Sequence, residues 1–380
     1  VKIKKQAVIF TDKLLPLSQT FVLEQTKHLT DWKAKLVGLE SIANGINLSS
    51  VNNELIFPTS SRLLQQFYEA FFKLTQGAFG SRTIFESANL IHSHFAPNGS
   101  LMIPVAKQYN IPLITTFHGY DVLTDRSTIS MRKDLNHAMF ARREDELKEK
   151  GTLFIAVSNF LMQKVIDLGY SESKVRQHYI GVDTESYLEY YSPNLRDLNT
   201  IVFVGRLVEK KGVKYLLDAF KIVSKKHPKA KLKIIGDGPM ASLVQNAAVS
   251  SMGNIELLGS RNHHQVLEEI NRSAILCVPS CTANDGNSET FGMVFAEAMA
   301  LGVPVVSSWH GGIPEVVSHG VTGLLAAERN SNEIASHLLT LLDDWSLRET
   351  MGSSGMEKVN TLFDIKKQSK KLELIYESLV

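Results

Sequence analysis

The stretch IVFVGRLVEKKGVKYLLDAF, residues 201 to 220, decides the fold. Four apolar residues, three of them β-branched, run into Gly205; after a short basic turn, apolar side chains recur at helical spacing from Val213 onward. A strand without polar alternation is buried on both faces, and an amphipathic helix directly after it is the start of a crossover to a parallel neighbour. The pattern repeats downstream in AKLKIIG, NIELLG, AILCVPS and VPVVSS, each followed by a loop and a helical stretch. This alternation predicts a doubly wound α/β sheet. Residues 1 to about 180 show the same rhythm less regularly in QAVIF, AKLVGL, NLIHSH, PLITTF and TLFIAVS. Two Rossmann-like domains are therefore expected, with a linker in SYLEYYSPNLRDLNT (186–200), where no period is sustained.

Composition is compatible with two cores. The chain has 380 residues, 44% hydrophobic and 21% charged, and a net charge of +2. That balance argues against an extended nucleic-acid surface while allowing local phosphate sites. No apolar run is long enough to span a bilayer, and no apolar leader follows the basic start VKIKKQAVIF, so the chain is read as soluble and cytoplasmic. Cys277 and Cys281 are the only cysteines; Cys277, inside AILCVPS, is read as a small buried hydrophobe rather than as half of a disulfide or metal pair.

In an open α/β sheet, ligands bind beyond the carboxyl ends of the strands, so chemistry is sought in those loops. Arg206 and Lys211 flank the turn after the 201–204 run, beside a helix start whose free amides favour anions. Together they form a candidate phosphate site, with a solvated basic loop as the alternative. A Walker A ending is absent. In SETFGMVFAEAMALGVPVV (288–306) the spacing predicts a helix from Phe291 to Leu301, stopped by Gly302. Glu289 precedes that helix and Glu297 lies in its second turn, leaning back toward the loop. Carboxylates among small apolar residues need a partner that offsets their desolvation. A diphosphate would go to the cations and leave both acids to accept hydrogen bonds from neutral hydroxyls, which describes a nucleotide-diphosphate sugar: Glu289 on the transferred sugar, Glu297 on the ribose.

These residues also carry a resemblance. The two glutamates with seven residues between them, GVPVV, GGIPEVV, GRLVEKKG, GDGP and GVD, with FHGYD and AVSNF in the first half, resemble the family-four retaining glycosyltransferases of the GT-B fold. LPLSQTFVLEQ and PSCTANDGNSE resemble enzymes of bacterial surface-polysaccharide synthesis. The resemblance implies two Rossmann-like domains facing a central cleft: an acceptor domain over 1–190, and a donor domain over 191–362. The basic amphipathic helix of 363–380 would cross back onto the first. It implies donor contacts from Arg206, Lys211, Glu289, Phe291, Gly292, Met293, Glu297 and Gly236, of which Arg206, Lys211 and Glu289, together with His118, take part in catalysis. Ser18, Gln19 and Asp121 are placed on the acceptor side; relatives often have Glu where this chain has Gln19, and Asp121 also reads as a turn cap.

Retention with the leaving phosphate accepting the acceptor's proton needs no protein nucleophile, and no metal or other cofactor is expected. Family grounds favour a UDP-sugar donor and a glycan or polyprenyl-linked glycan acceptor, with a peripheral inner-membrane contact and no nucleic acid as partner. A silent sugar-nucleotide binding protein, and a GT-B epimerase or phosphorylase, are the alternatives. HSHF (92–95) and His263–His264 lack neighbouring acids at zinc spacing, and KIVSKKHPKAKLK reads as a solvated helix end. In residues 62–85, Leu63, Leu64, Phe67, Phe71 and Leu74 form one helical stripe, expected to pack into the core. Tyr68, Phe72 and Phe79 lie off it, near Arg62, Lys73 and Arg82, where a membrane contact is the alternative.

Overall fold

The computed structural model describes residues 4–16, 19–43, 45–59, 61–75, 82–124, 135–251 and 253–380. Ser18 and Phe79 lie outside these residues, as does the side chain of Arg82. The chain divides into two units, Val1–Gly181 with Ile365–Val380, and Val182–Asp364.

The first unit is built on seven strands: β1 (Gln6–Phe10), β2 (Lys33–Gly38), β3 (Asn53–Leu55), β4 (Leu90–His94), β5 (Leu113–Phe117), β6 (Leu153–Ala156) and β7 (Val175–Gln177). They pair in parallel in the order β3-β2-β1-β4-β5-β6-β7. The order reverses at β1/β4, the switch point where such sheets open a crevice. Strands β4, β5 and β6 are buried along their whole length; β5 and β6 carry only apolar residues and threonine, and the two histidines of β4 are buried with hydrogen-bond partners. Helix α1 (Thr20–Lys27) follows β1, and α2 (Arg62–Thr75) follows β3.

Helix α2 reverses the expected orientation. Leu63, Leu64, Phe67 and Leu74 are exposed, while Gln65, Phe72 and Lys73 are buried. The inward face is selected by contacts that helical periodicity cannot show. Gln65 donates to the Leu39 carbonyl, Lys73 pairs with Glu69 at 2.6 Å and lies 3.9 Å from Asp12, and Phe57 stacks on Tyr68 at 5.1 Å with its edge toward Phe72.

The second unit repeats the plan with β8 (Asp197–Val204), β9 (Lys231–Ile235), β10 (Ile255–Gly259), β11 (Ser273–Cys277), β12 (Val305–Ser308) and β13 (Gly323–Ala326), all parallel, in the order β10-β9-β8-β11-β12-β13. The site-bearing helices are α3 (Val213–Lys226), after β8, α4 (His263–Asn271), after β10, and α5 (Met293–Ala300), between β11 and β12. The stretch expected as linker holds a 3-10 turn at Pro193–Leu195 and the start of β8 at Asp197, and the chain leaves the first unit earlier, after Gly181.

The last helix, α6 (Ile365–Glu377), belongs to the first unit, where Leu372 and Tyr376 join Ala7, Ile9, Leu36, Leu90 and Ile114 in one core cluster. Leu374 is exposed, and Glu373 turns inward to accept the Asp31 N–H at 2.6 Å. Among the described residues no helix is long and apolar enough to cross a membrane.

Candidate functional site

In the second unit the candidate residues gather beyond the carboxyl ends of β8, β9 and β11. Gly205 and Arg206 leave β8, and a 3-10 turn at Glu209–Lys211 leads through Gly212 into α3. Gly236 ends β9 with φ at +143°, and a Cβ there would stand 1.9 Å from the Gly205 carbonyl oxygen, so the two strand ends meet only because the position is glycine. Arg206 is exposed, with no ion pair among the described residues.

The helix expected from Phe291 starts at Met293, with Gly292 as its cap. The Phe291 ring is buried, edge-on to Phe363 at 5.2 Å, which leaves its backbone rather than its side chain for a ligand. Glu289, in the loop before α5, pairs with Lys211, and the side chains are 10% and 15% exposed. The lysine expected on a diphosphate and the acid expected on a sugar thus hold each other. Burial alone would raise the Glu289 carboxyl, but the Lys211 and Lys210 ammoniums outweigh it and hold it at about 2.

Lys210, absent from the sequence reading, lies 3.3 Å from the Asn287 side-chain oxygen and 3.4 Å from the Ser288 carbonyl, and burial lowers its pKa. Glu289 is clamped from a second side. Its N–H donates to His310 Nε2 at 3.1 Å, its carbonyl accepts the Gly312 N–H at 3.0 Å, and a Cβ at Gly311 would stand 2.0 Å from that carbonyl oxygen. Because His310 Nε2 accepts, its proton is on Nδ1, which donates to Glu328 at 2.8 Å. GGIPEVV therefore opens with the loop that fixes Glu289; the histidine before it was the missed signal.

Glu297 is buried in the second turn of α5, and its carboxylate lies 3.0 Å from His263 Nε2, at the start of α4. The Tyr187 hydroxyl is 3.3 Å from the same nitrogen. His263 is therefore part of the acid's surroundings. The two glutamates hold separate partners, one cationic lysines and the other an imidazole.

In the first unit, β5 delivers His118 directly after Phe117, between the rings of Phe21 and Phe95, each 4.7 Å away. His94 ends the neighbouring β4, and its Nδ1 lies 3.0 Å from His118 Nε2. Burial lowers the pKa of both, that of His94 to about 3, so both imidazoles are neutral at neutral pH. Asp121 accepts the N–H groups of Ala96 at 2.8 Å, Gly119 at 3.0 Å and His118 at 3.3 Å, which makes it the brace of the His118 loop. Gln19 precedes α1, its Oε1 buried with no hydrogen-bond partner among the described residues.

Comparison with known proteins gives the family and the fold. The model for glycosyl transferases group 1 matches residues 192–358, and that for Glycosyltransferase Family 4 matches residues 54–186. An uncharacterized glycosyltransferase of Methanocaldococcus jannaschii is 32% identical over 274 residues, covering 72% of this chain and 70% of that one. The chain belongs to the group 1 glycosyltransferases. The amylovoran biosynthesis glycosyltransferase AmsK of Erwinia amylovora is 30% identical over 261 residues, and the putative colanic acid biosynthesis glycosyltransferase WcaL of Escherichia coli is 28% identical over 260; each match spans 61% of the relative. This glycosyltransferase is thus related to enzymes of exopolysaccharide synthesis. Anabaena HepE in complex with UDP superimposes with a TM-score of 0.76 at 19% identity, covering 99% of this chain and all of that one, and the fold is GT-B.

Proposed function

We propose that this glycosyltransferase moves a sugar, with retention of anomeric configuration, from a UDP-sugar to a hydroxyl of a glycan or lipid-linked glycan in exopolysaccharide, capsule or O-antigen synthesis. The observation that carries the reading is the Glu289 carboxylate, buried and held ionised by lysines at the head of α5. A diphosphate arriving at Arg206 and Lys211 takes over part of the lysine's charge and frees Glu289 to accept a hydrogen bond from a sugar hydroxyl. Glu297 accepts from the ribose, and His118 is assigned a hydrogen bond with a sugar hydroxyl. Gly236 and the backbone of Phe291, Gly292 and Met293 border the donor.

The leaving diphosphate is stabilised by fixed cations, and losing one such charge costs about 3 kcal/mol of barrier, about a hundredfold in rate. The same phosphate accepts the acceptor's proton on the face from which it departs, so no protein nucleophile and no metal are required. Gln19 faces the acceptor as a neutral hydrogen-bonding group. AmsK and WcaL by name support the polysaccharide context, and the UDP complex of HepE supports the nucleotide. A peripheral contact with the cytoplasmic face of the inner membrane belongs to the same reading, supported by the exposed Leu63, Leu64, Phe67 and Leu74.

The test is calorimetric titration with UDP, GDP and their sugars, followed by NMR of the products after exhaustive chelation. Transfer that survives chelation and gives the donor's own anomer is expected. An inverted anomer, a magnesium requirement, epimer formation or dependence on inorganic phosphate refutes the mechanism; nucleotide binding without turnover points to a silent binding protein.

A further inference from the structure

We propose that His263 is a positioning residue for the ribose. It holds Oε1 of Glu297 and leaves Oε2 set for a ribose hydroxyl, so the preference for a nucleotide that carries this hydroxyl depends on His263 as well as on Glu297. The proposal rests on the ribose reading of Glu297 and adds to it the residue that fixes the carboxylate.

His263 Nε2 lies 3.0 Å from Glu297 Oε1 and 3.3 Å from the Tyr187 hydroxyl. A carboxylate only accepts, and an imidazole is the stronger base of the two, so the proton between them is on nitrogen. Nε2 therefore donates to Glu297. With that N–H engaged, Nε2 has no lone pair for the Tyr187 hydroxyl, which lies farther off and shares the N–H only as a second, weaker acceptor. The other carboxylate oxygen, Oε2, has no hydrogen-bond partner among the described residues and is not fully enclosed. It is the atom open to a hydroxyl.

Each member is held by its own element. Asn262 caps α4: its side chain accepts the Gln265 N–H at 2.9 Å, and the Gln265 side chain accepts the Asn262 N–H at 3.2 Å. This reciprocal pair fixes the first residue of the helix, which is His263. Tyr187, buried at the end of the short helix Thr184–Tyr187, sets its ring edge-on to the imidazole at 5.9 Å. Glu297 has a rigid backbone in α5, but its side chain has three rotatable bonds of its own, and only His263 holds the carboxylate among the described residues. A glutamate free to turn loses that freedom when a ligand binds, and affinity falls by the cost of ordering it. Held beforehand, the carboxylate meets the ribose already oriented.

The experiment is calorimetric titration of the full chain with UDP and with the analogues that lack its 2′- or its 3′-hydroxyl, in the wild type, His263→Ala and His263→Gln. The His263 side chain is 38% exposed, so its removal leaves the core intact. The wild type should prefer UDP by about tenfold over the analogue that lacks the hydroxyl on Glu297. In His263→Ala, UDP should weaken about fivefold while that analogue binds as before, so that the preference shrinks to about twofold. His263→Gln, whose amide nitrogen can stand near the place of Nε2, should restore the preference. Equal weakening of UDP and both analogues in His263→Ala would mean that His263 only supports the fold, and an unchanged preference would mean that it does not orient the carboxylate; either result overturns the proposal. A wild type that binds all three alike or none of them, or a Glu297→Ala variant that keeps the preference in full, overturns instead the ribose reading beneath it.

Discussion

Glu289→Gln tests the centre of the site, because it removes a charge and little else. The wild-type carboxyl lies at about 2 instead of its ordinary 4.5. At ~1.4 kcal/mol per pH unit, that depression corresponds to about 3 kcal/mol of stability at neutral pH. The sign follows from the direction: a carboxyl whose folded pKa is depressed contributes fully above its unfolded value and loses the contribution as pH falls toward the folded one. The glutamine variant should therefore unfold more easily than the wild type at pH 7, by about 3 kcal/mol, and the gap should close between about pH 4.5 and 2 as the wild-type carboxyl is protonated. Bound nucleotide should narrow the gap at neutral pH, because a diphosphate supplies Lys211 and Lys210 with the charge the variant lacks. Calorimetric unfolding with and without UDP, from pH 7 down to 3, measures each term. A variant as stable as the wild type at pH 7, or equal stabilisation of both proteins by UDP, would refute the account of Glu289 as an acid held ionised by lysines that the donor must share.

Glu297→Gln should weaken free UDP about tenfold, the loss of one charge-assisted hydrogen bond to ribose, while Glu289→Gln raises UDP affinity and spoils turnover; calorimetric titration that finds equal effects on affinity contradicts this division. His310→Ala removes the acceptor of the Glu289 amide and should cost about 1–3 kcal/mol, visible as hydrogen exchange at that amide faster by about tenfold or more. On α2, Phe72→Ala should cost about 3–5 kcal/mol and Phe67→Ser no more than about 0.5 kcal/mol, by urea denaturation; the reverse order would restore the inward stripe expected from sequence.

What was legible and what was not separate by physical cause. The central strands announce themselves because burial on both faces forces unbroken apolar runs, as in IVFV and LFIA. The strands Asn53–Leu55 and Val175–Gln177 escape notice: NEL and VRQ are three residues long, lie at the sheet's two edges and carry polar side chains. Helix α2 shows a second limit. Periodicity finds that Leu63, Phe67 and Leu74 share a face; it cannot tell that Gln65 and Lys73 have tertiary partners that draw the opposite face inward.

The site follows the same division. Arg206, Gly236, His118 and His310 each lie within two residues of a strand's carboxyl end, a position that α/β topology makes predictable. Their partnerships are not predictable in that way. Lys211 meets Glu289 across 78 residues of sequence, and Glu297 meets His263 across 34. Charge state depends on those partners, so a reading of strand ends can name the groups around a donor but assigns Lys211 to the phosphate and Glu289 to the sugar as though each were free. The structure makes them a pair first. On the proposed function, donor binding is then an exchange of partners: the phosphate competes with Glu289 for Lys211, and the carboxylate becomes available to a sugar hydroxyl to the extent that the phosphate succeeds. A nucleotide without its sugar would release Glu289 with nothing to receive it, whereas the intact donor supplies both the anion and the hydroxyl that the separated pair requires.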